Sequence, residues 1–130
     1  MRTYPATIAA RLRTALHDGD TAALAALLHP DVRFEPLDPA TPTAHGSAEA
    51  LAWYRERRDR GVRTLVEEQF AYPGSVVLGL RLSHPQPSSG APAVLYRVFR
   101  LQDDRVVHIR DFADRTHALT TAAAPCPWTA

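Results

Sequence analysis

Hydrophobic and polar residues alternate along residues 94–112 in the pattern of a β-hairpin. The two faces of its first strand are Val94, Tyr96, Val98 and Arg100, and Leu95, Arg97, Phe99 and Leu101. Residues 102–105 form a polar turn, and the second strand carries Asp111 in the same row as Val107 and Ile109. A buried carboxylate must be paired, hydrogen-bonded or protonated. Asp111 is therefore the first candidate for a functional group.

The rest of the chain predicts helices followed by a run of strands. Helical spacing of apolar residues, with caps and stops, predicts helices at 5–17, 21–28, 47–60 and 115–122. Further strands are predicted at 31–37, 62–72 and 75–83. Helices segregated from antiparallel strands indicate an α+β fold. We expect three helices to cover the concave face of a curved antiparallel sheet and to leave a ligand cavity at its open end.

Composition and charge narrow the functional classes. The 130 residues suit one domain, which we expect at 1–119 with a flexible tail at 120–130. A net charge of +1 argues against nucleic acid as a partner. Cys126 is the only cysteine, and no residues have metal-ligand spacing, so neither an internal disulfide nor a metal site is expected. Arg11 and Arg13 interrupt any signal-peptide core, and no run would span a membrane, so a cytoplasmic protein is expected.

Three stretches resemble the nuclear transport factor 2-like superfamily, in its SnoaL-like and ketosteroid-isomerase-like branch. They are ALHDGDTAALAALLHPDVRFEP, HGSAEALAWYRER and FRLQDDRVVHIRDFAD, and with the order of elements the resemblance covers residues 5–117. It implies a cone-shaped domain, a hydrophobic small-molecule ligand, and a homodimer formed through the open face of the sheet. The branch includes isomerases, polyketide cyclases, dehydratases, epoxide hydrolases and members without catalysis, so the resemblance does not fix the activity.

The catalytic sets of this branch are incomplete in the sequence. The ketosteroid isomerase positions match Leu12, Pro36 and Arg97, none of which has the required chemistry. Limonene-type epoxide hydrolases pair an Arg-x-Asp on one strand with an Asp on the last, and the strand matched to the former, 78–82, reads LGLRL. SnoaL-like cyclases are thought to use an Asp near the end of the last strand, which matches Asp114 best and Asp111 next.

Four residues are candidates for catalysis. Asp111 or Asp114 would act as a base, although Asp114 also suits the N-cap of the last helix and Asp111 suits a pair with Arg97 or Arg110. His45, in a proline-rich loop, would act as an acid or base at the rim, or lie solvated. Tyr96 would donate a hydrogen bond to a substrate oxygen.

Four further residues are candidates for substrate binding: Phe34, Trp53, Tyr54 and Arg97. The alternatives are core packing for the aromatic residues and an outward salt bridge for Arg97. The sequence therefore favours a cofactor-independent enzyme that acts on a hydrophobic, carbonyl-bearing or polyketide-like molecule by proton transfer, as an isomerase, cyclase or dehydratase. A non-catalytic ligand-binding or dimerisation module is the alternative, and an epoxide hydrolase is the third hypothesis.

Overall fold

The computed structural model describes residues 4–83 and 94–124. Its elements are α1 (Pro5–Asp18), α2 (Thr21–Leu27), β1 (Leu28–Glu35), β2 (Ala44–His45), α3 (Ser47–Asp59), β3 (Arg63–Tyr72), β4 (Ser75–Ser83), β5 (Val94–Gln102), β6 (Arg105–Phe112) and α4 (Arg115–Ala123). The predicted α+β fold is confirmed. No helix in the described part of the chain is long and apolar enough to cross a membrane.

The six strands form one curved sheet in the order β2-β1-β6-β5-β4-β3. The strands from β3 to β6 are joined as successive antiparallel neighbours, as predicted. The predicted sheet is thus antiparallel at these pairs, and β1 differs by running parallel to β6. Parallel pairing is possible here because α3 and four strands separate β1 from β6 along the chain.

The two faces of the sheet bury different helices. The three helices α1, α2 and α3 pack on the inner face, whose core includes Leu78, Leu95 and Phe99. α4 packs on the outer face, where Val98 and Phe112 are buried. The alternation predicted for β5 is therefore confirmed, and the outer face is not left open over β4, β5 and β6.

A β-bulge in β6 makes the hairpin differ in one detail from the prediction. Arg100 pairs with His108 and Leu101 with Val106, so Val107 is an extra residue on β6. As a result, Val106 rather than Val107 joins the inner core. Beyond the bulge the alternation continues as predicted, because Asp111 remains on the inner face.

Several boundaries differ from the predictions for local reasons. β1 already begins at Leu28 and runs through Pro30, where its register with β6 is irregular and a missing N–H is tolerated. The N-cap of α3 is Gly46, with φ of 90°, a backbone conformation that glycine adopts readily. The short strand β2 was not predicted. The predicted loop 84–92 and residues 125–130 lie outside the described residues. Within the described residues, every predicted helix and strand is present.

The helix α4 continues past residue 119, where the domain boundary was predicted, and ends at Ala123. Ser75, which is fully buried, donates from Oγ to the carbonyl oxygen of Ala122 at 2.7 Å. The guanidinium of Arg100, also buried, donates to the carbonyl oxygens of Thr121 at 2.5 Å and Ala124 at 3.1 Å. These bonds satisfy the carbonyls that the end of a helix leaves unpaired and hold α4 against the sheet.

We expect Arg100→Met to destabilise the protein by about 1–3 kcal/mol, because the change removes charged hydrogen bonds from the end of α4. Urea denaturation measures this change, and hydrogen exchange locates it, with faster exchange expected in α4. Arg55→Met, at an exposed position of α3, is the control and should leave both measurements unchanged. Unaltered exchange of α4 amides in Arg100→Met would contradict the assignment.

Candidate functional site

A cavity of about 900 Å³ lies between the inner face of the sheet and the helices α1, α2 and α3. We refer to it as the inner cavity. Its apolar lining includes Leu16, Leu24, Leu82 and Leu95, and its wall is completed by the loop 36–41. The volume is in the range of small-molecule sites, and a mostly apolar lining with a few polar groups is their usual character.

A buried ion pair lies in the wall of the inner cavity. Arg97 on β5 and Asp111 on β6 are directly paired in the sheet register, and both side chains point inward. Nε of Arg97 donates to Oδ1 of Asp111 at 2.6 Å, and Nη2 donates to Oδ2 at 3.0 Å. Each side chain is only 2% exposed. Such a bidentate pair is the strong form of an Arg–carboxylate interaction.

Aromatic side chains enclose the guanidinium of Arg97. Nη1 of Arg97 donates to the hydroxyl oxygen of Tyr54 at 3.1 Å. The Cζ atom of Arg97 lies 5.1 Å from the ring centre of Phe34, 5.5 Å from that of Trp53 and 5.3 Å from that of Tyr54. Cation–π attraction therefore adds to the ion pair. We call these five residues, Arg97, Asp111, Tyr54, Phe34 and Trp53, the Arg97 cluster.

Electrostatics keep Arg97 charged and Tyr54 neutral. Burial by itself disfavours the charged guanidinium, but the charge of Asp111 and the hydrogen bonds to Asp111 and Tyr54 outweigh it and raise the pKa of Arg97. Burial raises the pKa of Tyr54 to about 12, with Arg97 opposing this rise and Asp111 adding to it. Tyr54 is thus a phenol, a hydrogen-bond donor, at neutral pH.

The Arg97 cluster can bind an oxygen atom of a ligand. The hydroxyl of Tyr54 accepts from Arg97, so its own proton remains to be donated. Arg97 carries five N–H donors, of which three bond Asp111 and Tyr54. Nε1 of Trp53 is buried and has no partner among the described residues. The two oxygens of Asp111 retain lone pairs beyond those used by Arg97.

The structure brings together Asp111 and the four predicted substrate-binding residues. The alternative that Arg97 forms an outward salt bridge is wrong, because Arg97 is on the inner face and pairs with Asp111. The alternative that Asp111 pairs with Arg97 is confirmed. Phe34 is fully buried against the guanidinium of Arg97, whereas Trp53 and Tyr54 line the inner cavity.

Three predicted catalytic residues lie elsewhere. Asp114 is exposed and accepts from the backbone N–H of His117 at 2.7 Å, so it caps α4 as the alternative interpretation had it. Tyr96 is on the outer face, against Gly79, because strand alternation turns it away from Arg97. His45 is exposed on β2 and does not line the inner cavity.

The sequence interpretation missed Arg57, which also lines the inner cavity. Its Cζ atom lies 4.9 Å from the ring centre of Trp53. The signal was present, because Arg57 follows Tyr54 by three residues and therefore shares its face of α3. The loop 36–41 was also missed, and it separates the inner cavity from a smaller pocket of about 350 Å³ that Asp111 also lines.

The sequence model of the SnoaL-like domain family matches residues 9–109. The chain belongs to this family. The match includes Arg97 and the residues of α3 that complete the cavity, and it ends just before Asp111. No curated protein matches the sequence of this SnoaL-like chain.

Solved structures support the fold of the SnoaL-like chain. A putative ketosteroid isomerase from Kribbella flavida is 22% identical, with 93% of this chain and 81% of that chain covered and a TM-score of 0.69. A putative polyketide cyclase from Sinorhizobium meliloti is 20% identical, covering 82% and 94%, with a TM-score of 0.67. A limonene-epoxide-hydrolase-like epoxide hydrolase from M. tuberculosis is 18% identical, covering 89% and 86%, with a TM-score of 0.62.

The geometry revises the comparison with the epoxide hydrolase set. This SnoaL-like chain forms its Arg–Asp pair between β5 and β6, whereas the sequence comparison looked for the Arg-x-Asp motif on the strand 78–82 and found it missing there. Two residues after Arg97, where an Arg-x-Asp would have its carboxylate, stands Phe99, which is fully buried. The epoxide hydrolase set therefore lacks one carboxylate on β5, just as it does on the strand 78–82.

We expect Asp111→Asn to destabilise the protein by about 3–5 kcal/mol, because the change leaves the buried charge of Arg97 uncompensated. The double variant Arg97→Met/Asp111→Leu should cost clearly less, since no charge is buried. Urea denaturation of the single and double variants measures both. Glu67→Gln, which breaks the exposed pair with Arg81, is the control and should cost less than about 1 kcal/mol. Equal costs for Asp111→Asn and the double variant would contradict this account.

We expect Tyr54 to ionise near pH 12, above the ordinary tyrosine value of about 10. Because its pKa is raised in the folded state, its contribution to stability is complete below pH 10 and is lost as the pH rises through 12. Absorbance at 295 nm, taken as the difference between wild type and Tyr54→Phe, isolates this titration. A difference curve with its midpoint near pH 10 would show that the hydroxyl is not buried in the cluster.

Proposed function

We propose that this protein binds an apolar, carbonyl-bearing small molecule in the inner cavity and transforms it by proton transfer without a cofactor. The observation that carries this proposal is the Arg97–Asp111 pair, buried in the wall of a mostly apolar cavity. Asp111 would be the proton acceptor, and Tyr54 and Arg97 would bind the oxygen.

The energetics of burial support a functional role for the pair. Removing two charges from water costs several kcal/mol per ion, and a hydrophobic pair of similar volume is often equally stable or more so. Stability alone therefore gives little reason to keep an arginine and an aspartate at this position. Polar groups converging on one apolar cavity are, in contrast, a common feature of active sites.

The proposed step is removal of a proton from the carbon next to the carbonyl group. The C–H electrons form the enolate, the proton passes to a carboxylate oxygen of Asp111, and negative charge develops on the ligand oxygen. Tyr54 donates a hydrogen bond to that oxygen, and Arg97 stabilises the charge. Because Arg97 lies beside both Asp111 and Tyr54, the same cation balances the negative charge before and after the transfer.

The fate of the enolate would decide the type of reaction. Return of the proton from Asp111 to another carbon gives isomerisation, and loss of a β-hydroxyl group as water gives dehydration. Attack of the enolate on a second carbonyl within the ligand gives cyclisation. The assembly into a homodimer remains part of the proposal, and it would use the outer face that α4 leaves uncovered.

The second candidate is a ligand-binding module without catalysis. The bidentate contact favours it, because both oxygens of Asp111 already accept hydrogen bonds from Arg97. In that case the Arg97 cluster would only recognise a ligand oxygen.

Deuterium exchange of 2-tetralone in D₂O, followed by NMR, tests proton abstraction directly. We expect the protein to accelerate exchange of the α-hydrogens over buffer. Tyr54→Phe should slow this exchange by about tenfold or more, because the oxygen loses a donor. Asp111→Asn, checked for folding by circular dichroism, should abolish it. Tyr72→Phe changes a hydroxyl on the outer side of the sheet and should have no effect.

Two results would contradict catalysis by this cluster. Deuterium exchange that persists in folded Asp111→Asn would show that Asp111 is not the base. Binding of 2-tetralone to the wild type, seen as shifts of the Trp53 indole signal, without accelerated exchange would favour the binding module.

A further inference from the structure

We propose that the ligand of the inner cavity carries an anionic group, such as a carboxylate, which Arg57 binds at the mouth of the cavity. This inference deepens the proposed function, and it rests on that function only in requiring that the ligand occupy the inner cavity. It narrows the ligand class from apolar carbonyl compounds to amphipathic acids, with an oxygen near Tyr54 and a negative charge near Arg57.

The position of Arg57 on α3 places it one helical turn from the Arg97 cluster. Arg57 follows Tyr54 by three residues, so the two side chains share a face and lie about 4.5 Å apart along the helix axis. Both line the inner cavity. Tyr54 is bonded to the buried Arg97, whereas Arg57 is partly exposed. A ligand that spans these two residues would have its apolar body in the cavity and its charge towards solvent.

The guanidinium of Arg57 is held in place without an acidic partner. It stacks over the ring of Trp53 at 4.9 Å, which orients it towards the cavity. No carboxylate in the described part of the chain lies within ion-pair distance of it. Its neighbour on α3, Arg60, in contrast pairs with Glu56 at 2.8 Å, away from the cavity. The hydrogen-bond donors of Arg57 are therefore available to an oxyanion, which arginine binds well.

Two more arginines add positive charge to the lining of the inner cavity. Arg58 donates to the carbonyl oxygen of Gly19, and Arg63 donates to the carbonyl oxygens of Arg58 at 3.4 Å and Val62 at 3.3 Å. Both line the inner cavity and keep their full charge, because carbonyl groups are neutral partners. They strengthen the positive potential that an anion at Arg57 would experience.

Acidic residues also line the inner cavity, but on other segments. Asp18 and Asp20 flank the turn between α1 and α2, and Asp38 lies on the loop 36–41. Asp20 and Asp38 accept hydrogen bonds from the backbone N–H groups of Ala23 and Ala40. Their charges would repel an anion from those segments, and Arg58, which donates to Gly19 between Asp18 and Asp20, offsets only part of that repulsion. Arg57 stacks on Trp53 instead of bonding to an acidic segment, so it is the favoured place for the anion.

The competing explanation is that Arg57 only stabilises the end of α3. Cations in the last turn of a helix interact favourably with its dipole, and Arg57 and Arg58 both lie there. That role needs no contact with a ligand. It therefore predicts that replacing Arg57 changes only the stability of the protein. The ratio of the affinities for charged and neutral ligands should stay the same.

Two fluorescent probes that share one ring system separate these explanations. 1-Anilinonaphthalene-8-sulfonate carries an anionic group, and N-phenyl-1-naphthylamine is its neutral counterpart. We expect Arg57→Gln to weaken binding of the anionic probe by about tenfold, the loss of one charge-assisted hydrogen bond, with little change for the neutral probe. Arg57→Lys should restore most of the affinity, since it keeps the charge. Arg55→Gln, two residues away and outside the cavity lining, is the matched control.

Thermal unfolding of each variant confirms that the folded protein is being compared. If Arg57→Gln leaves the ratio of the two affinities unchanged, or if Arg55→Gln changes it equally, the anion site is wrong while the apolar cavity stands. If neither probe binds the folded wild type, the inference and the binding part of the proposed function both fail. If the wild type binds the two probes as expected but does not accelerate deuterium exchange of 2-tetralone, only catalysis is contradicted. The two proposals can therefore fail separately.

Discussion

The structure of the site depends on burying one ion pair on the inner face of a sheet. A charge in an apolar setting is tolerated only when its partner is close and its remaining donors are satisfied. The register of β5 and β6 provides the first condition by placing Arg97 directly opposite Asp111. α3 provides part of the second by bringing Tyr54 to the guanidinium. The aromatic rings of the cluster then complete the enclosure of the cation.

The fold supports this arrangement from both sides of the sheet. α3 packs against β1, which carries Phe34 of the Arg97 cluster, so the position of Tyr54 depends on the β1–β6 pair as well as on α3. On the outer face, α4 is fixed by Asp114 at its start and by Ser75 and Arg100 at its end. It covers the strands that carry Arg97 and Asp111. The site therefore lies where helices pack on both faces of the sheet, which favours the rigid arrangement of charges that the site requires.

Local rules were sufficient wherever strand alternation or a helix cap decided the outcome. The inward row of β5, the inward position of Asp111 up to the bulge, and the cap at Asp114 all follow from such rules. The same alternation also places Tyr96 on the outer face, away from the inner cavity. Tyr96 was nevertheless predicted to be catalytic, because its hydroxyl group could donate a hydrogen bond to a substrate. For Arg97 an outward salt bridge was kept as the alternative because exposed arginines are common, and the pair with Asp111 across the sheet makes its burial possible. β2 and the loop 36–41 depend on tertiary contacts that no local pattern contains.

The distribution of charge around the inner cavity connects the site to a class of ligand. A buried pair such as Arg97–Asp111 is electrically neutral as a unit, so it exerts only a short-range influence on a molecule approaching the mouth. The arginines at the mouth, which have no such partner among the described residues, act at longer range. An anionic group would therefore be attracted first by Arg57 and its neighbours, and the apolar body would then enter the cavity. Contact with Tyr54 and Arg97 comes last, so recognition of charge would precede any chemistry at the carbonyl.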